Sequence, residues 1–207
     1  MKSNEIRHRI PMVSAQPAFL ANFRSLPVRS WIALLVAALV SAGCSDVVIV
    51  NDPVTHPNYV YGDENYAARN GAIRVEVVGD TFGLPQEKFA DRVVTQMRAG
   101  YYRHDFFTLE SSRATDPRYK IVMMFNPHAS VSGSALCSAS QPFPPVPRAP
   151  GERTSLLAAF CGGPVAISET NGWVALSGVD DPNFSRLIDR VTNSLFPKSD
   201  LIHGSRL

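Results

Sequence analysis

The sequence contains little charge and few cysteines. Charged side chains make up 18% of the 207 residues and hydrophobic side chains 45%, and there are three cysteines. This hydrophobic content excludes a disordered chain, because such chains combine low hydrophobicity with high net charge. No Cys-x-x-Cys pair occurs and no histidine adjoins a cysteine, so the patterns of a zinc site and of a dithiol redox centre are both absent.

The motifs of hydrolases and nucleotide-binding proteins are also missing. Gly-x-Ser-x-Gly does not occur, and the Gly-Gly-Pro run at 162–164 is expected to form a turn between strands rather than a phosphate-binding loop. No two histidines have the spacing of metal ligands on one helix or strand. Adjacent strand residues point to opposite faces, so neighbouring His104 and Asp105 form no general base. A periplasmic hydrolase is therefore an alternative only if folding places His104 or His128 in a distant catalytic cluster.

Basic side chains are concentrated at the N-terminus. The first 44 residues contain five basic side chains and one acidic side chain, and the remaining residues contain 15 basic and 17 acidic ones. The overall net charge of +2 therefore does not describe the larger C-terminal part, which has no basic block. We expect no electrostatic surface for nucleic acid there. Basic residues ahead of an apolar run are typical of an export signal.

An apolar stretch at 31–43 follows two arginines and ends directly before a cysteine. The junction Ser41-Ala42-Gly43-Cys44 resembles the lipobox of bacterial lipoproteins, although the family usually has leucine where Ser41 stands. The resemblance covers this junction alone. It implies cleavage after Gly43, attachment of diacylglycerol to the Cys44 thiol and, usually, acylation of the new amino group. Two acyl chains anchor a protein stably to a membrane, which a single short chain does not.

The residue after the cysteine bears on the membrane that holds the anchor. In enterobacterial lipoproteins an aspartate at this position retains the protein in the inner membrane, so Ser45 favours the outer membrane, with the protein facing the periplasm. The alternative is an uncleaved single-span protein, because residues 31–50 together reach the length of a membrane helix. Asp46 argues against this span, since an acid costs about 2.5–3.5 kcal/mol at the centre of a membrane helix and less near its end.

If Cys44 accepts lipid, Cys137 and Cys161 remain as a pair. The oxidising periplasm favours a disulfide between them. The disulfide would close a loop of roughly 25 residues and contribute about 3 kcal/mol in the chain-entropy model. Within this loop, residues 141–150 include five prolines, which exclude a helix or an interior strand. A segment of this kind needs such a link.

Hydrophobic periodicity predicts the order β-α-β-β-β-β-α. We expect residues 1–43 to be the signal, 44–70 the lipidated cysteine and a tether, and 71–207 a single globular domain. Asn171-Gly172 is expected to be a type I′ turn of a hairpin, and Asp181-Pro182 to begin the last helix. The fold class is α+β, a two-layer sandwich of a mainly antiparallel sheet of about five strands with both helices on one face. The predicted strands are 73–79, 119–125, 155–161, 165–170 and 173–177, and the helices are 85–99 and a final one from 182 that ends before Pro197.

Two segments are candidate binding surfaces. One contains four aromatic residues, Tyr101, Tyr102, Phe106 and Phe107, for which burial beneath the sheet is the alternative. The other is the Pro-rich run at 141–150, which can present a polyproline II conformation to a partner. No cofactor or metal is expected. The sequence thus predicts a non-catalytic binding or assembly protein of the envelope, with a protein, a lipid or a glycan as its partner.

Overall fold

The structure, a computed structural model, describes residues 47–139, 143–144, 146 and 152–197. The expected export signal, Cys44 and most of the Pro-rich run at 141–150 lie outside the described residues. A short 3-10 helix spans Ser111–Arg113. The other elements, in chain order, are β1 (Ile49–Val50), β2 (Val54–Thr55), α1 (Asp63–Ala67), β3 (Ile73–Gly79), α2 (Gln86–Gly100), β4 (Phe107–Thr108), β5 (Tyr119–Phe125), α3 (Gly133–Ser138), β6 (Arg153–Gly162), β7 (Val165–Ala175) and α4 (Pro182–Leu195).

The strands form one mixed sheet with the order β1-β7-β6-β5-β3-β4, and β2 also pairs with β7. Strands β5, β6 and β7 are antiparallel neighbours, whereas β3 runs parallel to both β4 and β5. The chain is therefore of the α+β kind, as expected, but the expectation of a mainly antiparallel sheet of about five strands is wrong. The connection from β3 to β5 contains α2, and such a crossover returns the chain in the parallel direction.

The predicted Asn-Gly hairpin is also wrong, because β7 continues through Asn171 and Gly172. These residues pair with Leu157 and Leu156 of β6. A Cβ on Gly172 would meet the Ile49 carbonyl oxygen at 2.9 Å, so close packing against β1 accounts for this glycine. The turn lies instead at the Gly-Gly-Pro run, where Gly163 has a φ of 64°. The prediction of a turn at 162–164 is confirmed.

The sheet has two buried faces. The first face packs against α2 and α4, and its core includes a cluster of Phe89, Phe125 and Phe184 with ring centroids 5.0–6.0 Å apart. Alternate residues point to the second face, which is covered by α3. The expected pair of helices on one face is therefore present, and α3 adds a partial layer on the other. In β6, Phe160 belongs to the first face and Cys161 to the second.

The expected tether at 44–70 belongs to the domain from Val48 onward. Strands β1 and β2 pair with β7, and Val48 is buried in the first-face core. Ile49 and Val50, the last two residues of the apolar run at 31–50, are strand residues that pair with β7. No helix within the described ranges is long and apolar enough to cross a membrane.

Candidate functional site

The predicted aromatic surface is mostly buried. Phe106 and Phe107 are 0% and 1% exposed and Tyr101 is 6% exposed, whereas Tyr102 is 66% exposed. The rings of Tyr101 and Phe106 lie 5.0 Å apart, and those of Tyr101 and Phe196 lie 5.7 Å apart. The segment between α2 and β4 thus closes the first-face core, and of the four candidates only Tyr102 remains available to a partner.

Tyr102 lines a cleft of about 740 Å³, a volume within the range of small-molecule sites. The cleft is lined by residues at the C-terminal ends of α2 and α4 and by residues of the segment from Asp52 to Asn65. Tyr61 contributes a second ring, 60% exposed. Asn193 and Ser194 near the end of α4 contribute polar groups. The cleft is therefore both aromatic and polar.

Glu64 is the buried acid of this cleft. Its residue is 6% exposed, and its Oε2 atom has no hydrogen-bond partner among the described residues. Gly62, with a φ of 90°, precedes the short helix α1 and turns the chain so that Glu64 faces inward. Burial raises the pKa of the Glu64 carboxyl, and the adjacent Asp63 raises it further. An unpaired carboxylate oxygen in such a place is costly, because burial removes water without supplying a donor.

A hydrogen-bonded chain links Glu64 to the exposed tyrosine. The Tyr102 hydroxyl donates to Asn65 Oδ1 at 2.6 Å, and Asn65 Nδ2 donates to Glu64 Oε1 at 3.2 Å. This arrangement fixes the orientation of the Asn65 amide and occupies one of the two Glu64 oxygens. The other oxygen, Oε2, is buried and has no hydrogen-bond partner among the described residues.

Two further tyrosines position the walls of the cleft. The Tyr59 hydroxyl donates to the Pro197 carbonyl oxygen at 3.0 Å, which fixes the chain just beyond α4. The Tyr101 and Tyr102 rings have centroids 4.6 Å apart. Burial raises the pKa of both Tyr59 and Tyr101, with the charge of Glu64 as the next cause. Both shifts move the titration of these hydroxyls further from neutral pH, where a tyrosine is already protonated.

The two histidines considered for catalysis, His104 and His128, are not among the residues that line this cleft. His104 Nδ1 contacts the Arg98 carbonyl oxygen at 3.0 Å, so it donates to the last turn of α2. His128 Nδ1 contacts Ser130 Oγ at 2.9 Å in an exposed loop. Neither His104 nor His128 lines the cleft, so the structure adds no support to a hydrolase built on them. Within the described part of the chain, no three His, Cys, Asp or Glu side chains are grouped as metal ligands.

The predicted disulfide between Cys137 and Cys161 is present, with the two Cα atoms 5.5 Å apart. It joins α3 to β6 on the second face of the sheet. Ser132 caps α3 by accepting a hydrogen bond from the Ala135 backbone N–H at 3.2 Å. Neither cysteine lines the cleft, so the disulfide has a structural role in the second face.

A groove of about 480 Å³ on the second face, along β3 and β5, differs from the cleft in its electrostatics. Glu76 in this groove accepts a hydrogen bond from Lys120 at 2.9 Å and lies 3.2 Å from Arg74. The charge of Glu76 is therefore already neutralised by two bases.

Glu64 and Asn65 were missed in the sequence because they fall within the expected tether. The signal that could have revealed them is the Asp63-Glu64 pair after Gly62, since acids favour a first helical turn.

No family model matches the chain, and no curated protein matches it. Among solved structures, the chain is similar to two structures of the PelC dodecamer from Paraburkholderia phytofirmans, one of them a leucine-to-methionine variant. The variant has 11% identity and a TM-score of 0.41, covering 73% of this chain and 99% of that chain. The other has 12% identity and a TM-score of 0.38, covering 73% of this chain and 100% of that chain. Scores this low assign no function to this chain.

Proposed function

We propose that this chain is a lipid-anchored protein of the bacterial envelope whose domain binds a ligand in the cleft beside Tyr102 without catalysing its conversion. The observation on which the proposal depends is the cleft itself, about 740 Å³ in volume and lined by Tyr102, Asn65 and Glu64. A mostly pre-formed cleft with a few convergent polar groups and a perturbed acid is the usual form of a binding site. The lipobox-like junction at Cys44 supports the anchor.

The chemistry of the lining favours binding over nucleophilic catalysis. Catalysis of acyl transfer needs a nucleophile with a base beside it, and the described residues that line the cleft include no histidine, cysteine or lysine. Ser194 is the single hydroxyl other than the tyrosines among them, and it donates to the Asn51 carbonyl oxygen at 3.2 Å. The donors and acceptors are arranged to hold a ligand.

Photo-crosslinking in living cells tests the binding role. Tyr102 is replaced by a photoreactive phenylalanine, and Tyr66 is replaced in the same way as the control. Tyr66 is 50% exposed but packs against Tyr119 and does not line the cleft. We expect a discrete adduct from position 102 and none, or a different one, from position 66. The same adducts in equal yield from both positions, or none from position 102, would contradict a binding role for the cleft.

Lipid labelling tests the anchor separately. Cells are grown with an alkyne fatty acid, and the parent protein is compared with the Cys44→Ala variant. Labelling of the parent alone supports the lipoprotein assignment. A parent protein that stays unlabelled and still sediments with membranes would favour the uncleaved single-span alternative.

A further inference from the structure

The charged groups of the cleft are all of one sign among the described residues. Asp52 and Glu64 line it, and no lysine, arginine or histidine does. Asp63 precedes Glu64 on α1 and adds a third negative charge close by. Opposite charges attract strongly where little water separates them. The cleft therefore favours a cationic ligand over an anionic one.

Glu64 is the buried carboxylate among the lining residues of the cleft. Oε1 is held by Asn65, whereas Oε2 is buried and has no partner among the described residues. A guanidinium forms its best contacts through two parallel hydrogen bonds to both oxygens of a carboxylate. An ammonium is a compact charge that needs only one oxygen. The geometry of Glu64 thus suits an ammonium better than a guanidinium.

Exposed tyrosine rings supply a second contact for a cation. Two other rings of the domain already contact a cation: the Arg69 guanidinium lies 4.1 Å from the Tyr66 centroid and the Arg103 guanidinium 4.9 Å from that of Phe106. Over the described residues, no arginine or lysine is placed on the Tyr61 or Tyr102 ring. Cations bind favourably to the faces of such rings.

We propose that the cleft is a binding site for the protonated primary amine of a ligand, with the Glu64 carboxylate as its counter-ion and the Tyr61 and Tyr102 rings against the carbon atoms beside the nitrogen. Asp52, which also lines the cleft, strengthens the attraction. The inference deepens the proposed binding role and rests on the cleft being the functional site. It assigns a chemical class to the ligand, a primary amine next to an apolar group.

Calorimetry with benzylammonium tests the inference directly. The full chain is purified from membranes in detergent, and benzyl alcohol is titrated as the uncharged probe of similar shape. We expect the amine to bind roughly tenfold more tightly than the alcohol, the difference expected from one hydrogen bond to a charged group. Equal affinity for the two probes, or no measurable binding of the amine, would overturn the inference.

Three variants assign the effect to the cleft. Glu64→Gln keeps the shape and removes the charge, so we expect about a tenfold loss of amine affinity. Asp52→Asn changes an exposed lining residue without threatening the fold, and a loss of about two- to threefold is expected from its weaker, more solvated charge. Asp91→Asn, at an exposed position near the middle of α2, is the matched control and should change nothing. Unchanged amine binding in both Glu64→Gln and Asp52→Asn would refute the assignment.

The pH dependence of the affinity gives a further readout. Binding to the ionised carboxylate should strengthen as the pH rises through the raised pKa of Glu64, and this dependence should disappear in Glu64→Gln. Among the described residues, the other groups around the cleft that titrate or are polar are Asp52, Asp63, Tyr59, Tyr61, Asn65, Tyr101, Tyr102, Asn193 and Ser194. An identical pH profile in the parent and the variant would count against Glu64 as the counter-ion.

The amine can belong to a free small molecule or to a lysine of a partner protein. A lysine-containing peptide and its acetylated form, each competed against benzylammonium, distinguish these sources. If the unmodified peptide displaces benzylammonium and the acetylated peptide does not, the ligand is a lysine of a partner protein. If neither peptide displaces benzylammonium, the ligand is a small amine. If the amine fails to bind but crosslinking at position 102 still yields its discrete adduct, the amine inference falls and the proposed binding role stands.

Discussion

Removal of the disulfide between Cys137 and Cys161 should destabilise the domain substantially. The two cysteines are 24 residues apart in the sequence. In the chain-entropy model, closing a loop of about 25 residues removes about 12 cal/mol/K from the unfolded state, or about 3.5 kcal/mol at 25 °C. Domains have unfolding free energies of only about 5–15 kcal/mol, so this loss is a large part of the total.

The structure indicates where the destabilisation should be felt first. Helix α3 covers the second face of the sheet with Leu136 and Cys137, and the disulfide is the covalent link that holds it there. The first-face core, with α2 and α4, contains neither cysteine. We therefore expect α3 to lose protection against hydrogen exchange before the first-face helices do.

Urea unfolding of the oxidised and reduced protein measures the effect. Trp173 is a half-buried fluorescent probe on β7, in register with Ser155. With a denaturant slope near 2 kcal/mol/M, the midpoint should fall by about 1.7 M on reduction. The double variant Cys137→Ala/Cys161→Ala should match the reduced parent. A shift below about 0.5 M, with the slope unchanged, would refute the chain-entropy reasoning.

Three further predictions concern single residues. Burial raises the pKa of Glu64 in the folded state, so the unfolding free energy should be larger below about pH 4 and should fall as the pH rises through that pKa. Urea titrations at several pH values measure this dependence, and the Glu64→Gln variant should lack it. Backbone N–H groups of Ser177 and Asn183 lower the pKa of Asp181, so its contribution is present above about pH 4 and is lost as the pH falls; Asp181→Ala should cost about 1 kcal/mol at pH 7 and less in acid. Gly172→Ala should lower the unfolding free energy by about 1–3 kcal/mol, because the Cβ of the alanine would crowd the Ile49 carbonyl oxygen. An unchanged unfolding free energy would show that β1 can move aside.

The elements predicted correctly are those specified by local patterns. The strand at 119–125 is β5 with the same bounds, and the predicted helix at 85–99 is α2 within one residue. The cap of α4 is confirmed, with Asp181 accepting a hydrogen bond from the Asn183 N–H at 2.9 Å. In each case the apolar period, the cap and the flanking residues all indicate the same structure, which makes such segments predictable.

The errors arise where distant packing decides the conformation. Asn-Gly favours a turn locally, but Gly172 sits where β1 and α4 approach β7, and its Cβ would meet Val191 Cγ2 at 3.0 Å. Likewise, each of the two-residue strands β1 and β2 is formed by antiparallel pairing with β7. Strand propensity depends strongly on such neighbours, which sequence periodicity does not show.

The cleft was hidden from the sequence for the same reason. Its lining comes from four separate parts of the chain, around residues 52, 64, 101 and 194. Tyr102 was the one candidate among the predicted binding residues that remains exposed, since aromatic content alone does not distinguish a surface from a core. The unpartnered oxygen of Glu64 becomes apparent only when its neighbours in space are known.

The incorporation of residues from Val48 into the domain changes how far the protein can search for a partner. A free tether over 45–70 would extend to roughly 85 Å, at about 3.3 Å per residue. Because Val48 is buried, the chain between Cys44 and the domain can extend to at most roughly 10–14 Å. If Cys44 carries its lipid, the domain is held close to the bilayer surface and diffuses in two dimensions. Its partner must then lie in the same membrane or reach the surface of that membrane.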